Sequence, residues 1–355
     1  MFYLSIFGAM LTCSFTSAHS ARGRLSTYKL LLILLFFLTA FRFEVGCDWS
    51  GYMLQYGLQQ GAGFEAAWAQ REPLWWITIE LLQRLELSYP WLNVTSSAIF
   101  FAGIHTLARR QPDPLAFLIL LFPILILNMP MSGIRQGAAI GLMCIAFTAF
   151  VDRRLVRFIM WTAVAAGFHS SSLLFLLLTP LVGGSYSKKR IFAAGLLAIP
   201  GSLLIVTGEG AEVAILRYVD SNIDAFGAAY RTGTLFLSAI FFYWFLRRQW
   251  KVAFPFDYKL ASLGALMMLA VFPLTAVSSV IADRLGYYFI PLQAMIFART
   301  PFLVHRSQSR ILTAAPYLGL ALVLLVWTAT SWHFSLCYIP YKTWLFGFPD
   351  GALSL

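Results

Sequence analysis

Ten apolar runs follow one another along the chain, at 1–17, 28–44, 91–108, 114–130, 134–151, 191–207, 232–247, 259–277, 285–299 and 311–329, each bounded by charged or turn-forming residues. A hydrocarbon core of roughly 30 Å takes about 20 helical residues, and only helices or closed barrels can satisfy their backbone within it. The pattern predicts an all-α fold. It is a polytopic transmembrane helical bundle of about 10–12 membrane segments, with one or two of them short, broken or re-entrant. Composition agrees, at 59% hydrophobic and 12% charged over 355 residues. No polar break is long enough for a soluble domain, so residues 1–355 read as a single integral membrane domain.

The net charge of +11 would suggest nucleic acid in a soluble chain. Its distribution argues otherwise. Arg22, Arg24 and Lys29, then Arg109 and Arg110, then Arg153, Arg154 and Arg157, then Lys188 to Arg190, then Arg247 to Lys259, then Arg299, Arg306 and Arg310 form groups at the ends of the runs. Such groups mark the cytoplasmic side of a membrane protein. Nucleic acid is therefore not expected as a partner; the lipid bilayer is.

Two stretches resist simple placement. PLWWITIELLQRLEL (73–87) is short and carries Glu80 and Arg84, which suits a tilted, broken or re-entrant helix. Residues 155–182 would make one helix of about 42 Å, too long for a plain crossing. If the first does not fully cross and the second turns back near GFHSSS (167–172), every basic group falls on one side. The N-terminus then lies outside, together with 42–72, 131–135, 208–231, 278–284 and 330–355. The start, MFYLSIFGAMLTCSF, has no basic residue before its apolar core and reads as an uncleaved first span. Cys47 and Cys337 both fall on the outer side, but spacing alone does not pair them.

Function is sought on that outer face. Arg135 follows NMPMSG (128–133), a proline and glycine break, and is expected in the first turn of its helix, where free N–H groups already favour an anion. Two readings compete: an anion site with Gln136 as a further donor, or an arginine reaching headgroups or pairing with an acid of the bundle. FRFEVGCDWSGYMLQY (41–56) offers Arg42, Asp48, Trp49 and Tyr52, either a sugar platform with charged partners or an interfacial aromatic belt. REP (71–73) adds Arg71 and Glu72. His169 is either a satisfied polar group beside its serines or part of a polar site at a hairpin tip. Arg217 and Tyr218 sit in an external segment whose ILRYVDSN (215–222) suits a short lid helix. Arg284 is expected at the outer start of another helix, with Tyr287 beside it, and Tyr341 in an aromatic C-terminal cap.

No Walker A, Rossmann, HExxH, GxSxG or EF-hand pattern occurs, and no DxD-like metal-diphosphate motif, so neither a metal nor a cofactor is expected. Sparse outer arginines with a histidine, carboxylates and many Trp and Tyr suit a substrate that is part lipid, part phosphate and part sugar. In a polyprenyl-diphosphate-linked glycan the diphosphate is the leaving group, and arginines that grip it as charge develops lower the barrier.

FRFEVGCDWSGY (41–52), REP (71–73), SGIRQGAAIG (132–141), FHSSSLLF (168–175) and DRLGYYF (283–289), in that order, resemble the EpsG-like family of bacterial membrane proteins, related in role to the Wzy polysaccharide polymerases. The resemblance implies polymerisation of lipid-linked repeat units for capsule, exopolysaccharide or O-antigen, outside the bacterial cytoplasmic membrane. It implies Arg42, Asp48, Arg135, His169 and Arg284 as a polar centre. A chain-length regulator or export complex is the implied protein partner. The competing expectations are a flippase or transporter of lipid-linked sugars, and another lipid-linked transferase such as an O-antigen ligase or O-acyltransferase. A flippase should show paired broken helices and polar residues through the full membrane depth.

Overall fold

The computed structural model describes residues 1–17, 20–183, 227–303 and 309–348, with 187, 189 and 192 in isolation. The expected span 191–207 and the ILRYVDSN segment lie outside the described residues. What is described is mostly helical: α1 Phe2–Thr16, α2 Ala21–Ala40, α3 Trp49–Leu58, α4 Gly63–Ala69, α5 Pro73–Arg84, α6 Pro90–Ala108, α7 Pro114–Leu121, α8 Ile134–Val151, α9 Leu155–Phe168, α10 Ala228–Phe241, α11 Arg247–Ala253, α12 Tyr258–Leu274, α13 Ser279–Arg299, α14 Ser309–Thr330 and α15 Trp332–Tyr338. Among the described residues, three helices are each long and apolar enough to cross a membrane: Ala21–Ala40, Ile134–Val151 and Ile311–Thr330. α8 is largely buried and α14 almost wholly exposed. An apolar helix exposing Leu318, Leu322, Leu325 and Val326 is at ease only against hydrocarbon.

The chain divides into two compact units, residues 1–142 with 167–170 and 313–355, and residues 143–166 with 171–312. In the first unit, contacts sort the helix ends into two sets. At one end Arg24, near the start of α2, pairs with Asp113, the N-cap of α7, and donates to the Ser14 carbonyl (2.9 Å). Tyr28 bonds His105 near the end of α6 (2.8 Å). The basic group at 22–29 and the one at 109–110 thus share an end. At the other end the chain leaving α2 meets the start of α6, the turn before α8 and the tail. Here Phe43 N donates to the Lys342 carbonyl (2.9 Å) and Gly46 N to that of Cys337 (2.7 Å), while the Tyr3 hydroxyl of α1 reaches the Tyr338 carbonyl (3.1 Å).

Cys47 and Cys337 form a disulfide across 290 residues of sequence. Closing so long a loop restricts the unfolded chain strongly. Alkylation of the denatured, unreduced protein is expected to label Cys13 and Cys144 only; labelling of all four cysteines would show the bridge to be absent.

α2 begins seven residues before the expected 28. Ser20 caps it, its hydroxyl accepting from Gly23 N (3.1 Å), so Arg22 and Arg24 are carried inside the helix. It stops at Ala40, because the next residues bridge to the tail at Arg42 and Thr343. α7 continues into a π-helical turn, Phe122–Ile126, where Pro123 lacks the N–H that an α-helical turn would use. α6 and α8 touch through glycines. A Cβ at Gly103 would stand 1.9 Å from the Gly141 carbonyl oxygen, so both backbones need the missing side chains.

α5 does not cross. Its 12 residues span about 18 Å, and it starts and ends at the tail-bearing end of the first unit: Glu72 at its head meets Arg135, and Pro90 soon after it opens α6. The expected turn near GFHSSS is also found. α9 ends at Phe168, and a 3₁₀ limb follows over Ser170–Leu181. Within the second unit this limb returns, bringing Gly183 against Arg153, just before α9 begins. At the same end of that unit Lys259 reaches the Leu181 carbonyl and buried Arg299 pairs with Asp257 (2.5 Å).

Candidate functional site

The turn before α8 is built by Asn128, whose carbonyl accepts from both Ser132 N and Gly133 N (3.0 Å each). That turn ends the π-distorted helix and starts α8 with Arg135 as its second residue, as expected from the break. Glu72 lies opposite. It sits at the N-cap position of α5 in the left-handed region, φ 66° and ψ 59°, an uncommon conformation for a non-glycine residue. Its carboxylate does not cap α5. One oxygen takes Arg135 Nη1 (2.9 Å) and the other takes Ser170 N (2.7 Å), the first N–H of the 3₁₀ limb.

One largely buried carboxylate therefore holds two helix N-termini together. Arg71 completes the cluster, its Nη2 donating to Ser170 Oγ (3.2 Å). Gly167 leaves room for Leu74 of α5, which a Cβ would meet at 2.5 Å. His169, next to Ser170, is buried, as is Gln136 beside Arg135. Arg71, Glu72, Arg135, Gln136 and His169 thus come together, and the anion at the α8 terminus in this chain is a glutamate. Of the two readings of Arg135, the pairing with an acid of the bundle is what is seen, and it is made at a helix N-terminus. The Arg135 Nε is buried and has no hydrogen-bond partner.

Asp48 joins from a fourth segment. Gly46, at φ +105°, lies so close to the turn that a Cβ would stand 1.8 Å from the Met131 carbonyl oxygen. Two residues on, Asp48 N donates to Ser132 Oγ (3.3 Å). Asp48 occupies the N-cap position of α3 but its side chain makes no capping bond, and the residue is exposed. Its carboxylate is thereby left at the surface beside the SGIRQG turn.

Arg42 requires a correction. It was expected to touch substrate, yet it is fully buried, with Nε donating to the carbonyls of Val45 (2.8 Å) and Met131 (2.9 Å), Nη1 to that of Thr39 (2.8 Å) and Nη2 to Asn93 Oδ1 (2.7 Å). It ties the end of α2, the start of α6 and the turn before α8 into one knot. Tyr341 likewise holds the tail, donating to the Leu38 carbonyl (2.8 Å) and stacking on Phe2. Tyr52 packs edge-on against Trp75. Trp49 instead borders a cavity of about 820 Å³.

Arg284 and Tyr287 belong to the second unit. Ser278 caps α13, its hydroxyl accepting from Ile281 N (3.3 Å), so the helix starts six residues earlier than expected. Arg284 is consequently in the second turn, away from the free N–H groups that the sequence reading assigned to it. Its neighbour Asp283 receives a bidentate pair from Arg231 (2.6 and 2.8 Å), whose guanidinium lies over the Tyr287 ring. Arg231 was read as loop; it lies in the first turn of α10. Arg217 and Tyr218 lie outside the described residues.

Among the described residues no group of three or more His, Cys, Asp or Glu stands close enough to hold a metal ion. The sequence model of the EpsG family matches residues 2–343, and the chain belongs to that family. No curated protein and no solved structure matches it.

Proposed function

We propose that this EpsG-family chain polymerises polyprenyl-diphosphate-linked oligosaccharide repeat units at the outer face of the bacterial cytoplasmic membrane, as one polytopic domain of about 10–12 segments. The observation that carries this is the convergence on Glu72 of Arg135 and of Ser170 beside His169, with Arg71 on the Ser170 hydroxyl and Asp48 leaning on the turn before α8. Four separated motifs of the sequence meet around two arginines and two helix N-termini.

The chemistry is a glycosyl transfer. A hydroxyl oxygen of the acceptor sugar attacks the anomeric carbon of the donor, the bond from that carbon to the diphosphate oxygen breaks, and the lipid diphosphate leaves. Arg135 takes the diphosphate. Glu72 fixes Nη1 of its guanidinium, and the exposed quarter of the side chain is what a phosphate oxygen would meet. The grip strengthens as negative charge builds on the leaving group, which is what accelerates the step. Asp48, exposed and not capping, accepts the proton of the attacking hydroxyl. His169 is a positioning residue at the hairpin tip.

The disulfide supports the sidedness. Cys47 and Cys337 lie at the end of the first unit away from Arg24 and Asp113, and disulfides persist where the compartment is oxidising. A chain-length regulator or an export complex would be the protein partner on this reading.

Purified protein incubated with a defined lipid-diphosphate repeat unit is expected to yield dimers and longer chains with release of lipid diphosphate, read by mass spectrometry. Unchanged repeat units overturn the reading, and their movement across a liposome without chain growth would establish the flippase instead.

A further inference from the structure

Within the first unit α2 and α6 pack antiparallel, with Tyr28 against His105, Phe36 against Phe101 and Thr39 against Ser97. In such a pair the residue that follows a contact residue turns to the same side on both helices. That side carries Lys29, Ile33 and Phe37 on α2, and Ala98, Ala102 and Thr106 on α6. All but half-buried Thr106 are exposed. Large side chains on one helix beside small ones on the other leave a groove along the pair. Thr106 turns its hydroxyl onto the Ala102 carbonyl of its own helix (2.9 Å), so the α6 wall of the groove is apolar.

Cations stand at the head of this groove, at the basic end of the unit. Lys29 is next to Tyr28, Arg109 is one turn past His105, and the charges of both reach the His105 ring. Both side chains are exposed, and neither has an ion pair or a side-chain hydrogen bond among the described residues. Asp113, at the same end, is already taken by Arg24 and by Ala116 N (3.1 Å). Two like charges facing one another repel, and an anion between them removes the repulsion.

This combination narrows the occupant. A free phosphate would meet the cations and leave the apolar groove below them unused. An apolar helix of a second protein would fill the groove and leave both cations without an anion. A phospholipid does both, with its phosphate at the level of the cations and an acyl chain beneath it. A zwitterionic headgroup brings its own ammonium toward Lys29 and Arg109, so charge complementarity favours an anionic one.

We propose that the α2–α6 groove binds an anionic phospholipid of the adjoining leaflet, its phosphate between Lys29 and Arg109 and an acyl chain along Ile33 and Ala102. The lipid braces at the basic end the helix pair that Arg42 and Asn93 lock at the other end (2.7 Å). This holds whether or not the chain is a polymerase.

The test titrates the full chain in detergent with phosphatidylglycerol or phosphatidylethanolamine and reads retained lipid by native mass spectrometry and the melting temperature. The parent is expected to retain phosphatidylglycerol in preference and to melt higher with it. The double variant Lys29→Gln, Arg109→Gln should weaken retention about thirtyfold, the worth of two basic residues beside an anionic headgroup. Ala102→Leu, which fills the groove and keeps both charges, should also lose the lipid. The pair Arg154→Gln, Arg157→Gln removes the same charge from exposed positions of the second unit and should retain lipid as the parent does. Equal retention of the two lipids by the parent, parental retention by the folded Lys29→Gln, Arg109→Gln variant, or equal weakening by the second-unit pair overturns the proposal. An equal rise in melting temperature with inorganic phosphate alone would overturn it too, and a dimer that excludes the lipid would give the groove to a second copy of the chain instead.

Discussion

Arg135→Ala is expected to leave single repeat units where the parent chain makes long polymer, with the rate of chain growth down by on the order of 10²–10³-fold, as when one charge-stabilising donor is removed from an active site. The side chain lies at the head of α8, three-quarters buried, with Nη1 fixed by Glu72 and Nε unpartnered. Removing it also deprives a largely buried carboxylate of its cation, which costs stability of its own. The double variant Arg135→Ala, Glu72→Gln separates the two effects. It has no uncompensated charge and should melt near the parent, yet remain inactive. Arg135→Lys should restore little, because an ammonium cannot offer the two parallel donors of a guanidinium. Polymer of parental length from the double variant at normal protein levels would refute the assignment.

Arg42→Met is expected to be a folding defect. Four buried acceptors, the carbonyls of Thr39, Val45 and Met131 and the Asn93 side chain, lose their donor. At about 1–3 kcal/mol for each unsatisfied buried group, the loss is on the order of 4 kcal/mol even with relaxation. Set against a total stability of about 5–15 kcal/mol, that should sharply reduce the inserted protein and its melting temperature in detergent. A variant with parental melting behaviour that loses only polymer would show Arg42 to be a substrate contact after all.

These two arginines read alike in the sequence. Both stand at the edge of an apolar run, within four residues of a glycine. The difference arises because the 41–47 segment is closed on both sides: by the turn before α8, against which Gly46 packs, and by the tail bridged through Cys337. Arg135 escapes that enclosure and retains an exposed edge. The same enclosure removes Tyr341 from the candidate contacts, while Arg284 changes role because Ser278 starts its helix earlier than the hydrophobic run suggested. Caps are set by a single side-chain oxygen, which hydropathy does not register.

What the sequence determined by itself, among the described residues, is where most of the longer apolar helices lie and the breaks around the site. Runs long enough for a hydrocarbon layer, the proline and glycine turn before Arg135, the shortness of residues 73–87 and the turn near His169 are local properties, each legible within about 20 residues. Only the tertiary structure decided which breaks meet. Glu72 and Arg135 are far apart along the chain, as are Gly103 and Gly141, and Cys47 and Cys337. Their pairing depends on how closely helices approach and which helix ends coincide, and neither leaves a periodic mark in the chain. The physical reason is that a buried charge or a missing Cβ is satisfied by whatever lies opposite it in space, and the sequence records the need without the partner.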